Sequence, residues 1–203
     1  MQEINKNLLQ YLNSLGENIF FEIFVKIFVD APIFILPIFL AGFWIYYSFL
    51  ERNQQGGFSP LLDKKQDLIF IFYGIVFAII TSLLIQQFII VERPEQHLGA
   101  GAKLLLDHLP DASFPSDHAT VSIAFLTGLL LSGYKKYFWF FLLPILAMNT
   151  SRIIAGVHWP FDIIAGGIVG IFISIITFQY YKKIKLVKKL NLKIIKLLNY
   201  IKL

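Results

Sequence analysis

The chain contains no cysteine. Disulfides, thiol nucleophiles and cysteine-based metal sites are therefore excluded. Charge is scarce as well: Asp, Glu, Lys and Arg make up 15% of the 203 residues, against about a quarter in soluble domains. No Pro/Ser-rich linker and no internal repeat divides the sequence, so a single domain over 1–203 is expected. Residues 1–17 are mostly polar and lack the basic start, apolar run and small-residue cleavage site of a signal peptide. The last stretch, 182–203, lacks any acid while carrying eight lysines.

What is present is apolar. Hydrophobic residues reach 57% and aromatics 16%, with 21 Phe and a mean hydropathy of +0.67. That composition belongs to a membrane protein. A membrane helix needs roughly 20 mostly apolar residues, and five stretches are read as spans: 31–50, 68–91, about 119–133, about 137–155 and about 162–181. Residues 18–30 are apolar but carry Glu22 and Lys26, placed to pair along one helical face. They read as an interfacial or partly inserted helix and are the candidate for a sixth span. The expected fold is thus all-α, an integral membrane helical bundle with an N-terminal interfacial helix and a basic C-terminal tail.

Positive charge collects on the cytoplasmic side of membrane proteins. Arg52, Lys64 and Lys65 follow the first span, Lys135 and Lys136 the third, and the lysine tail the fifth. Five spans put all three segments on one side. Loops 92–118 and 152–162 then lie on the other, outer face, and the unusual polar residues all lie there. The tail spaces lysines and aliphatics in a roughly helical pattern. It serves either as an amphipathic helix on anionic lipid or as a topological anchor with no partner. Gly166 and Gly170 form a GxxxG, read as close packing inside the bundle.

Three polar clusters face outward: Glu92-Arg93-Pro94, Pro115-Ser116-Asp117-His118, and SRIIAGVHWPFD at 151–162. Asp162 follows His158 by four residues. With a helix starting near Pro160, the carboxylate stands one turn above the imidazole and can accept its Nδ1 proton, turning Nε2 outward as a lone-pair donor. Such a histidine is a general base or a nucleophile, or a hydrogen-bonded histidine with no chemistry. Ser116-Asp117 opens a helix whose unpaired amides attract anions, or is a simple N-cap. Arg93 and Arg152 match phosphate oxygens in a bidentate way, or snorkel to the interface. Two histidines and an aspartate also fit a facial metal triad, but two arginines beside it repel a cation. An anion site accommodates every charge.

Together the clusters resemble the type-2 phosphatidic acid phosphatase (PAP2) superfamily of membrane phosphatases, whose usual signature is KxxxxxxRP, PSGH and SRxxxxxHxxxD. The stretch 151–162 fits the third motif at every fixed position. PSDH fits the second in three of four, and Arg93-Pro94 supply the RP of the first. The motif region, 86–162, is under half the chain, and the helical core extends the likeness to most of it. Two positions depart. Gln86 stands where the first motif has lysine, with Lys103 or His97 as candidates to replace the charge, and Asp117 stands for glycine. The wording DASFPSDHAT resembles the bacitracin-resistance branch, which dephosphorylates undecaprenyl diphosphate.

The resemblance implies roles. His158 is the nucleophile, forming a phosphohistidine; Asp162 orients it; His118 protonates the leaving group and then acts as base. Arg93, Arg152 and Ser116, with Asp117 and Gln86 beside them, hold the phosphate. No metal and no cofactor is implied. The expected partners are a lipid phosphate and membrane lipids, with no nucleic acid, and the oligomeric state is left open. The implied location is a bacterial inner membrane, multi-pass, with the site outside and the C-terminus in the cytoplasm. Three other readings stand beside this one: the same chemistry on phosphatidylglycerol phosphate, phosphatidic acid or lipid A; a channel or transporter with a charged vestibule; and an inactive lipid binder, for which Gln86 speaks.

Overall fold

The computed structural model describes residues 2–53, 61–96, 105 and 112–200. Among them there is no strand. Eight α-helices run in order: α1 (Gln2–Ser14), α2 (Ile19–Phe28), α3 (Ala31–Asn53), α4 (Leu61–Phe88), α5 (Asp117–Leu131), α6 (Lys135–Ile154), α7 (Pro160–Lys183) and α8 (Lys185–Tyr200). The chain is an all-α membrane bundle, as its composition requires.

Among the described residues, four stretches are long and apolar enough to cross a bilayer: Ile19–Arg52, which joins α2 to α3, then α4, α6 and Pro160–Tyr180 of α7. The third expected span, α5, has only 15 residues. It rises about 22 Å, short of the ~30 Å hydrocarbon core. Protein compensates for its length. α5 packs against α7 and α4 and also meets α3 and α6, and Ala119, Thr120, Ala124, Phe125 and Leu129 are fully buried. The polar PSDH end is thereby held inside the bundle.

Contact between α5 and α7 is backbone-close. A methyl group on Gly166 would lie 2.5 Å from the Ser116 carbonyl oxygen, and one on Gly170 2.5 Å from that of Thr120. The GxxxG therefore packs helices within the bundle, as expected. An apolar and aromatic core joins Leu36, Leu40, Ile71, Phe125, Leu129, Phe141 and Ile145.

Three elements are more closely fitted to the bundle than the sequence shows. α2, expected as an interfacial or partly inserted helix, packs by one side: Val25 and, just past its end, Val29 are buried against Ile154, Ala155 and Val157, while Lys26 and Glu22 pair at 2.8 Å as expected. α1 is an added brace. Its Leu9 is fully buried, its Asn13 Nδ2 donates to the Ile154 carbonyl at 2.8 Å, and its Asn5 Oδ1 accepts from the Phe161 N–H at 3.1 Å. The basic tail is helical through Tyr200, and one face of it docks. Asn191 and Ile195 are buried, and Asn199 Oδ1 accepts from Lys65 Nζ at 2.7 Å. Most of its lysines point outward.

Connectivity sorts the ends. The starts of α3, α5 and α7 and the ends of α4 and α6 meet at one end of the bundle. The opposite end gathers the basic residues: Lys65 bonds Glu51 at 2.7 Å, and Lys64 lies over the Tyr134 ring at 5.0 Å.

Candidate active site

The polar clusters meet at the first of these ends, at the start of α5, the end of α6 and the start of α7. Ser116 occupies the N-cap position of α5 without a side-chain cap bond. Its carbonyl accepts from the Thr120 N–H and hydroxyl, both at 2.9 Å, and its N–H donates to the Asp162 carbonyl at 3.1 Å. Its Oγ is buried with no hydrogen-bond partner among the described residues. A helix cap does not account for that hydroxyl, and a ligand oxygen at the α5 N-terminus would.

His158 is 3% exposed, in the loop that α7 follows. Its Nδ1 lies 3.1 Å from the Ser113 carbonyl oxygen and 3.8 Å from Asp162 Oδ2. The direct His158–Asp162 hydrogen bond read from the sequence is therefore not formed. The carboxylate is committed elsewhere: Asp162 Oδ2 accepts from the Trp159 N–H at 3.0 Å and from the Ser113 hydroxyl. The outcome for the ring is the same by a different route. A carbonyl only accepts, so a neutral His158 carries its proton on Nδ1 and presents Nε2 as a lone pair. That Nε2 faces Arg152 Nη2 at 3.5 Å. Ser113 is itself fixed by its N–H, which donates to the Val91 carbonyl at 2.8 Å.

Arg152 closes α6 and is 1% exposed. Its Nη1 bonds Asp30 Oδ1 at 2.7 Å and approaches the Val29 carbonyl at 3.4 Å. The same Asp30 oxygen lies 3.0 Å from His118 Nε2. Arg93, also buried, donates from Nη1 to the Val157 carbonyl at 2.7 Å, which ties it to the His158 loop. Two guanidinium groups, two imidazoles and an unsatisfied hydroxyl thus converge, and both arginines touch the segment that carries His158. Among the described residues no three His, Asp or Glu side chains converge as a metal-ligand set.

The two departures from the motifs touch each other. Gln86 Nε2 donates to Asp117 Oδ1 at 2.9 Å and to the Pro115 carbonyl at 3.1 Å. Ser82 Oγ donates to the same Asp117 oxygen at 2.6 Å. The sequence reading places both residues on phosphate. In the structure they fasten the end of α4 to the start of α5, because a neutral amide pairs with the nearest carboxylate. Lys103 and His97, read as substitutes for the missing charge, lie outside the described residues.

Sequence reasoning passed over two residues. Ser113 stands inside the stretch DASFPSDHAT but outside the motif letters. Asp30 ends the apolar run 18–30, and the signal was there: Glu22 has Lys26 as its partner, which leaves Asp30 an acid with no local one.

Two cavities adjoin the cluster. One of about 540 Å³ is lined by Asn5, Lys6, Glu92, Phe114, Trp159 and Asp162, among others. Another, of about 470 Å³, is an apolar groove between α2 and α6 lined by Phe24, Phe28, Leu143, Pro144, Ala147 and Thr150.

An undecaprenyl-diphosphatase of Sulfolobus acidocaldarius is 39% identical over 79 residues, 37% of each chain. A lipid A 1-phosphatase of Rhizobium johnstonii is 28% identical over 178 residues, 79% of this chain and 72% of its own. Relatives above 30% identity are matched over less than half of their own length. In fold, the crystal structure of Aquifex aeolicus LpxE superposes with a TM-score of 0.67 at 21% identity, covering 87% of this chain and 96% of that one. The PAP2 superfamily model matches residues 8–186; by that match, which takes in all three polar clusters and the helices that carry them, the chain belongs to the PAP2 superfamily.

Proposed function

We propose that this protein is a membrane lipid phosphatase that hydrolyses undecaprenyl diphosphate to undecaprenyl phosphate and inorganic phosphate. The observation that carries the reading is the buried His158 Nε2 facing Arg152 Nη2 at 3.5 Å. Nε2 attacks the terminal phosphorus, and the bond to the bridging oxygen breaks. His118 gives a proton to that oxygen. Water then attacks the phosphohistidine, His118 takes its proton, and phosphate leaves. Arg93, Arg152, the Ser116 hydroxyl and the α5 amides stabilise the charge that develops on the phosphoryl oxygens. Asp162 acts through Ser113, and Gln86 and Asp117 act by setting the α5 N-terminus. No step requires a metal.

The apolar groove between α2 and α6 supports a lipid substrate. The basic residues at the other end of the bundle support a cytoplasmic C-terminus and a site on the outer face of a bacterial inner membrane. The same chemistry on lipid A, phosphatidylglycerol phosphate or phosphatidic acid is the second reading, and the likeness to a lipid A 1-phosphatase supports it.

Phosphate release by the detergent-purified protein, in EDTA and with these lipids in competition, tests both. The expected result is metal-independent release, strongest from undecaprenyl diphosphate. Preference for lipid A would give the second reading. Ion flux in liposomes without phosphate release would make the protein a channel.

A further inference from the structure

The carboxylate–imidazole hydrogen bond expected between Asp162 and His158 is found instead between residues far apart in the chain. It joins Asp30 to His118. We propose that Asp30 is a positioning residue for the acid–base step, holding His118 in one tautomer and orientation beside an anchored Arg152. The proposal rests on the phosphatase reading above.

One oxygen makes both contacts: Asp30 Oδ1 is 3.0 Å from His118 Nε2 and 2.7 Å from Arg152 Nη1. To donate to that oxygen, His118 must carry a proton on Nε2, which assigns the proton traffic to Nδ1. In the first step the Nδ1 proton passes to the leaving oxygen as the P–O bond breaks and the Nε2–P bond to His158 forms. In the second, a proton of the attacking water passes to Nδ1 as the P–N bond breaks. Asp30 stays ionised throughout and exchanges no proton. The Arg152 fork is divided in the same way, with Nη1 on Asp30 and Nη2 toward His158.

The junction that carries Asp30 is suited to this task. α2 ends at Phe28 and α3 begins at Ala31, and Val29 between them is buried against the loop after α6. The carboxylate is therefore held from one side by packing and from the other by its two partners, while its own side chain remains 45% exposed. The charged groups acting on His118 are Asp30 from this junction, Arg152 from α6 and Asp117 from its own helix. Without Asp30 the imidazole loses its only direct carboxylate contact among the described residues.

Full-length Asp30→Asn and Asp30→Glu decide it, measured on whichever lipid phosphate the wild type turns over. Loss of a general acid costs about 10²–10⁴ in rate, so Asp30→Asn is expected to lower kcat by roughly 10- to 100-fold, leave KM within about threefold and displace the pH profile of kcat. Asp30→Glu should restore part of the loss. On a His118→Ala background Asp30→Asn should add less than about threefold, because residues acting through one another are not additive. Unchanged kcat and pH profile, or losses that multiply, would overturn the proposal. So would a change in KM alone, which would confine Asp30 to the arginine. The titration of His118, followed by NMR with isotope-labelled histidine and no substrate, should also move in Asp30→Asn. If the wild type hydrolyses none of the lipids, the phosphatase reading fails with the acid–base role, and the NMR titration still judges the Asp30–His118 contact by itself.

Discussion

Ser113 connects the two residues that the sequence pairs directly. Its carbonyl faces His158 Nδ1 and its hydroxyl bonds Asp162, so the ring is set by backbone and the carboxylate steadies that backbone. Ser113→Ala keeps the carbonyl and removes the hydroxyl bridge. A buried acceptor deprived of one donor costs about 1–3 kcal/mol, and about 1.4 kcal/mol is tenfold in rate. We expect the unfolding temperature to fall by a few degrees and kcat/KM to fall roughly tenfold, as a thermal melt and steady-state kinetics would show. At this scale the sequence was informative where local spacing encodes contact. Ser116, Arg152, His158 and Asp162 all lie in short motifs, and all come together. It marks Asp30 only as an acid without a local partner and does not name Arg152, 122 positions away, because long-range pairing leaves no periodic trace. It does not foresee that Gln86 and Asp117 bond each other, because motif letters do not say which neighbours will satisfy each other.

Helices reach the site by close packing. Gly170 faces the Thr120 carbonyl, and an added Cβ would lie 2.5 Å from it. Backbone cannot yield there as a flexible side chain would, so α5 must shift away from α7 and carry Ser116 and His118 with it. Overpacking of this kind typically costs about 1–3 kcal/mol. Gly170→Ala should therefore lower both the unfolding temperature and kcat. Gly42→Ala, where nothing lies within 4 Å, should leave both unchanged. Paired melts and assays check this, and equal effects at the two glycines would contradict the packing account. Spans and the GxxxG were legible because hydrophobic periodicity and small residues are local properties. The docking of α1 and of one face of α8 was not, since polar helices reveal their partners only through hydrogen bonds such as Asn13 to Ile154 and Lys65 to Asn199.

Over the whole molecule, charge and chemistry are separated. Lys64, Lys65 and Glu51 meet at one end of the bundle, while Arg93, Arg152, His118, His158 and Asp30 gather at the other. α5, too short to span the bilayer unaided, holds its polar start among longer helices. This arrangement suits a reaction in which a lipid stays in the bilayer while its phosphate meets buried guanidinium groups. The proposed mechanism turns on a covalent phosphoryl group on His158. Rapid quenching with a lipid diphosphate labelled in its terminal phosphate, followed by peptide mapping, tests it directly. The account predicts an acid-labile, alkali-stable label on the peptide carrying His158 in the wild type and none in a folded His158→Ala variant. Turnover and labelling that persist in His158→Ala would contradict it.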